Sequence, residues 1–100
     1  MMDEVEHIQN EEELLRTLTK NYLSDMHSQI VITSQHLESK HVEELILFGH
    51  TLKGTGSMFG YEELSAIGAR FEEDARNKQW GNLKTLLDEI KTIIDYYLVR

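Results

Sequence analysis

The chain has 100 residues, enough for one domain, and 40% apolar with 28% charged residues allows a packed core and excludes an unfolded polymer. A formal net charge of −8, with no basic stripe to offset it, disfavours nucleic acid and anionic membrane surfaces as partners. Cysteine is absent, which removes disulfides, thiolate chemistry and zinc-finger ligand sets, and no apolar run reaches the ~20 residues that span a bilayer.

The N-terminal residues Met1-Met2-Asp3-Glu4-Val5-Glu6 lack the basic-then-apolar order of a signal peptide, so a cytoplasmic protein is expected. The Met1-Met2 start fits a free-standing protein. Residues 1–9 read as an acidic tail or a short extra helix, and residues 10–100 as the folded domain.

Proline is absent and apolar residues recur with helical periodicity, which predicts an all-α protein. Asn10, followed by Glu13, has the pattern of a capping box opening the first helix. Leu14, Leu18, Tyr22, Met26 and Ile30 then recur every four residues, broadened by Leu15, Leu23 and Val31, to an end near His36. Ser39 is the expected cap of a second helix whose apolar side holds Val42, Leu45, Ile46, Gly49, Leu52 and Gly56. Ser57-Met58-Phe59-Gly60 reads as a turn, since Gly60 permits a positive φ. A third helix starts near Tyr61 or Glu62, with Leu64, Ile67, Gly68, Phe71 and Ala75 on its apolar side. Gly81 and Asn82 are expected to separate it from a fourth helix carrying Leu83, Leu86, Leu87, Ile90, Ile93, Ile94 and Tyr97. Connections this short make neighbours antiparallel, so the expected fold is an up-down-up-down four-helix bundle, and a monomer is the expected state. All stripes are expected to be used by this core, leaving no spare apolar face.

His50 is the residue most able to do chemistry. It lies beside the apolar stripe of the second helix, in one sector with Glu43, Leu47, Gly54 and Ser57. Glycine inside a helix costs about 1 kcal/mol relative to alanine, and three fall close together at Gly49, Gly54 and Gly56. Helix packing accounts for Gly49 and Gly56. Gly54 faces outward, where the missing side chain leaves His50 accessible to a large partner. Lys53 is one turn on and can reach an oxyanion on the imidazole. His7, His27, His36 and His41 have no such setting and read as ordinary surface histidines.

The run His50-Thr51-Leu52-Lys53-Gly54-Thr55-Gly56-Ser57-Met58-Phe59-Gly60, with Leu64, Ile67, Phe71 and Glu72 after it, resembles the histidine-containing phosphotransfer (HPt) domain family over residues 10–100. The resemblance implies a four-helix bundle and a phosphocarrier of multistep, two-component phosphorelays. His50 would take a phosphoryl group on Nε2 from a receiver-domain aspartate and pass it to another receiver. Lys53 would steady the phosphate charge, and Gly54 would leave room for the partner. The partners so implied are receiver domains of response regulators and of a hybrid sensor kinase.

An imidazole, with its ordinary pKa of ~6.5, offers a neutral nucleophile at pH 7. Phosphoryl transfer needs in-line positioning and charge neutralisation above all. No ATP-binding motif accompanies His50, so no autokinase activity is expected. No cofactor of its own and no metal site are expected; Mg²⁺ would come with the receiver partner. No carboxylates are expected to cluster around the histidine. Leu47, Ser57, Met58 and Phe59 are candidate partner-binding residues, with Met58 and Phe59 also able to fold inward as a cap on the bundle. Arg70 and Arg76 of the third helix are candidates for further charge near the site, with solvated surface arginine the favoured reading. Two other readings stay open. One is a non-catalytic helical interaction module. The other is a carboxylate–histidine metal bundle built on Glu4-x-x-His7 and Glu38-x-x-His41, neither of which shares an apolar stripe.

Overall fold

The computed structural model describes residues 3–100, with side chains described from residue 10 onward. Four α-helices account for the fold: α1 (Asp3–Glu38), α2 (Val42–Met58), α3 (Glu62–Arg76) and α4 (Trp80–Leu98). Each helix packs on its neighbours in the cyclic order α1–α2–α3–α4, and α2 and α3 form the most extensive pair. The expected antiparallel four-helix bundle is therefore present.

The core is one cluster. It joins Tyr22, Leu23, Met26 and Ile30 of α1 to Leu45, Phe48 and Leu52 of α2, and these to the stripes of α3 and α4. Leu45, Leu52, Leu64, Phe71, Leu83, Ile90 and Ile94 are fully enclosed. Phe48, absent from the expected stripe, lies edge-on to Phe71 at a centroid distance of 5.3 Å. Burial of these side chains at about 1.5–3 kcal/mol each supplies the main driving force.

Three boundaries depart in part from expectation for one shared reason, while the positive φ at Gly60 and the start of α3 beside Tyr61 are as expected. Lys40, Gly60 and Lys78 each have a positive φ, of 55°, 83° and 55°. At each, the residue's own amide and the next one turn back onto the helix just ended: Lys40 N to Leu37 O and His41 N to His36 O, Gly60 N to Ser57 O and Tyr61 N to Gly56 O, Lys78 N to Ala75 O and Gln79 N to Asp74 O. This is the Schellman closure, and the next helix starts directly after it. His41, Tyr61 and Gln79 thus occupy the N-cap positions, with no side-chain cap bond. Ser39 caps nothing, Gly81 and Asn82 lie inside α4, and Ser57 and Met58 belong to the last turn of α2 rather than to a turn. Glycine fits the left-handed position without a Cβ penalty, whereas the two lysines hold it at a cost.

The fourth difference is α1. It begins at Asp3, so Asn10 and Glu13 sit in its interior rather than forming a capping box. Met1 and Met2 lie outside the described residues. With 36 residues against 15 to 19 in the other helices, α1 is about twice their length and runs past the bundle, which gives the molecule its 59 Å long axis. Leu14, Leu15 and Leu18 continue the stripe beyond the point where partners exist and are 57%, 64% and 46% exposed. Val31 is also exposed, so the expectation that every stripe is spent on the core fails. Hydrophobic periodicity marks a face, and burial needs a neighbour to cover it.

Candidate functional site

Position along α2 decides which side chains face outward. Leu45, Phe48, Gly49, Leu52 and Gly56 turn inward, which leaves Leu47, His50, Lys53, Gly54 and Ser57 on the outer surface. The His50 side chain is 64% exposed. A Cβ placed on Gly54 would meet nothing within 4 Å, so the approach to the imidazole along the helix is open.

The inner flank of His50 holds a group that periodicity on one helix does not reveal. Glu72 of α3 is a buried residue, and its Oε2 lies 3.3 Å from His50 Nδ1. Its Oε1 lies 3.6 Å from Lys53 Nζ. Arg76, one turn further on α3, donates a hydrogen bond of 3.0 Å from its guanidinium to Glu72 Oε2. One carboxylate is therefore shared by an imidazole and two cations. A single carboxylate, not a cluster, attends the histidine, and Arg76 joins the site through it. Arg70 is exposed and takes no part.

The Arg76 hydrogen bond holds the Glu72 carboxyl below the usual carboxylate range; the charges of Lys53, His50 and Arg76 add to this, against partial desolvation that acts the other way. Glu72 thus stays anionic around neutral pH. A carboxylate beside Nδ1 favours the tautomer with the proton on that nitrogen. Nε2, the far nitrogen of the ring, then carries the lone pair on the side away from Glu72.

Glu72 reaches across because α2 and α3 almost touch. A Cβ on Gly49 would fall 2.5 Å from the Glu72 backbone nitrogen, and one on Gly68 would fall 2.6 Å from the Lys53 backbone nitrogen. Ser65 of α3 adds a hydrogen bond of 2.7 Å to the Lys53 carbonyl. The signal in the sequence was a glutamate next to Phe71 on the inward face of α3, where a charge requires a partner.

Leu47, one turn before His50, is 58% exposed, and Met58, in the last turn of α2, is 77% exposed. A shallow hollow of about 470 Å³ beside His50 is lined by Glu43, Glu44, Ile46, Leu47, Glu72 and Arg76. Phe59 faces inward instead, stacked on Tyr22 at 4.4 Å between ring centroids, while the Tyr22 hydroxyl shares a 2.9 Å hydrogen bond with Thr55. Ser57 is exposed and donates a weak 3.4 Å hydrogen bond to Glu62. A cleft of about 520 Å³ opens at the far end of the bundle, between α1, Tyr61 and Tyr97, and contributes nothing to His50.

Among the described residues, no group of three or more His, Asp or Glu is placed to hold a metal ion. Glu38 ends α1 and His41 precedes α2, while the side chains of Glu4 and His7 lie outside the described residues. No described helix is long and apolar enough to cross a membrane.

A family model described as Hpt domain matches residues 5–97. Comparison with curated proteins and with solved structures yields no match.

Proposed function

Because this chain belongs to the Hpt domain family, whose members carry phosphoryl groups on a histidine in phosphorelays, we propose that His50 is its phosphoryl acceptor. The group arrives on Nε2 from a receiver-domain aspartate and leaves to the aspartate of another receiver. The observation that carries this reading is the setting of the imidazole: Nδ1 faces Glu72 at 3.3 Å while most of the side chain stands in solvent.

The Nε2 lone pair attacks phosphorus in line with the acyl phosphate bond. The N–P bond forms as the P–O bond breaks, and the bonding pair leaves with the receiver's carboxylate. The ring gains positive charge as it becomes phosphorylated, and the Glu72 carboxylate beside Nδ1 offsets it. Lys53, 48% exposed and held only at 3.6 Å by Glu72, is free to swing one turn back toward the phosphoryl oxygens. Gly54 leaves the space that the receiver's active-site loops need. Phosphoryl transfer asks for positioning and charge more than for covalent work by the protein. The carrier supplies the nucleophile, and Mg²⁺ belongs to the receiver's acidic pocket.

Leu47 and Met58 offer the apolar contact surface on either side of the histidine, with Ser57 at its edge and Phe59 acting from below by bracing the α2 terminus against Tyr22. With receivers as partners, the chain acts in the cytoplasm and performs no autokinase step.

Transfer from a phosphorylated receiver in the presence of Mg²⁺ tests the reading. The parent protein should acquire label that is acid-labile and base-stable, unlike an ester on Ser57 or Thr55. The His50→Gln variant should stay unlabelled while still binding the receiver. ATP and Mg²⁺ alone should leave the parent unlabelled. Label that persists in His50→Gln would sink the assignment.

A further inference from the structure

We infer that the glycine contact between α2 and α3 is a positioning device for the phosphorylation site, with Gly49 and Gly68 acting as positioning residues through Glu72. The inference rests on His50 being the acceptor, and it concerns what sets the ring's orientation.

The two glycines contact the site reciprocally. Gly49 precedes His50 and would carry a Cβ into the Glu72 backbone, 2.5 Å from its nitrogen and 2.8 Å from its Cα. Gly68 lies one turn before Glu72 and would carry a Cβ into the backbone beside His50, 2.6 Å from Lys53 N and 3.0 Å from the Gly49 carbonyl. The atoms met are backbone, not the flexible end of a side chain, so relief requires one helix to move. Both Cβ positions fall about 1 Å short of ordinary contact, and that is the displacement a single methyl group demands.

The polar geometry has little reserve for such a shift. Glu72 Oε2 is 3.3 Å from His50 Nδ1, and Oε1 is 3.6 Å from Lys53 Nζ. A retreat of α3 by about 1 Å takes both beyond 4 Å, while Arg76, on the same helix as Glu72, retreats with it and keeps its 3.0 Å bond. The carboxylate would remain anionic and paired, yet no longer beside the imidazole. The close approach therefore does more than pack two helices. It makes the tautomer of His50 depend on two glycines that have no side chain to reach the ring.

The readout is the ¹⁵N spectrum of the His50 imidazole, beside the rate of transfer from a phosphorylated receiver. In the parent, the proton should prefer Nδ1, the reverse of the preference of free histidine in water. Gly49→Ala and Gly68→Ala should each return the ring toward the free-histidine preference and slow transfer by about tenfold. Adding Glu72→Ala to Gly68→Ala should slow it no further, because both changes remove one interaction. Gly81→Ala, at a helical glycine with nothing within 4 Å, should leave both readouts at parent values.

Alanine variants that fold yet keep the parent tautomer and rate would overturn the inference, and so would losses that add to that of Glu72→Ala. Should the alanine variants not fold, Glu72→Asp decides. It withdraws the carboxylate by one methylene without touching the backbone, so a retained Nδ1–H preference overturns the dependence on distance. A parent that accepts no phosphoryl group fails the carrier reading alone, since the tautomer measurement needs no phosphate.

Discussion

Replacing Glu72 by alanine should slow phosphoryl transfer to His50 far more than it disturbs the fold. The carboxylate lies 3.3 Å from Nδ1, so its removal lets the proton return to Nε2 and masks the nucleophilic lone pair. Partners that orient a metal-bound imidazole typically contribute about 10- to 100-fold, and that range sets the scale for the same orienting contact here. The lower end applies here, about tenfold, because the His50 side chain is 64% exposed and water competes for Nδ1. The fold should tolerate the change. Lys53 and Arg76 are 48% and 60% exposed, so both cations regain solvent when their carboxylate goes. Exposed pairs contribute little, and the thermal midpoint should drop by no more than roughly 5 °C. Glu72→Gln separates the two properties of the carboxylate, since the amide keeps an oxygen acceptor facing Nδ1 without charge. It should retain most of the rate if orientation dominates. Rapid-quench transfer from a phosphorylated receiver measures all three proteins. A rate for Glu72→Ala within twofold of the parent would refute the reasoning, and equal losses for Gln and Ala would assign the effect to charge instead.

Four further outcomes follow from the same geometry. Leu52→Ala, at a fully enclosed position, should cost about 2–5 kcal/mol in urea unfolding, whereas Leu14→Ala on the uncovered part of α1 should stay within about 0.5 kcal/mol. Lys40→Gly and Lys78→Gly should raise the unfolding free energy by relieving the left-handed backbone, while Gly60→Ala should lower it by introducing the same strain, each by about 1 kcal/mol in urea unfolding. Acid should destabilise the protein through two carboxyls held below their usual range: Glu72, chiefly by the Arg76 hydrogen bond, and Asp95, chiefly by that from Lys91. A depressed folded-state pKa contributes stability that is present above the unfolded value and lost as pH falls through the folded one, so Glu72→Gln and Asp95→Asn should each flatten the loss of thermal midpoint on acidification below about pH 5. Leu47→Glu and Met58→Glu should each weaken receiver binding by about tenfold in calorimetry and leave the unfolding midpoint unchanged, as both side chains already stand in water.

Much of this architecture is local and therefore legible in a linear pattern. The stripes of α3 and α4 repeat within one helix: α3 buries all the residues that periodicity assigns to it, and α4 buries all but Ile93 and Tyr97, which are half-buried. The same arithmetic sends His50 outward, and the missing side chain of Gly54 is visible without coordinates. Local pattern has two blind spots here. A stripe does not disclose whether anything lies opposite, so Leu14, Leu15 and Leu18 read as core and stand exposed where α1 outruns its partners. A residue's backbone state does not follow from its type when hydrogen bonds from the next turn can enforce it, so Lys40 and Lys78 hold left-handed positions while Ser39, Gly81 and Asn82 offered better local signals. The site divides along the same line. His50, Lys53 and Gly54 belong to one helix and share its spacing, which the order of residues alone determines. Glu72 and Arg76 come from another helix, and their meeting with His50 depends on how closely two backbones approach. That distance is a property of the contact at Gly49 and Gly68, and only the packed tertiary structure decides it.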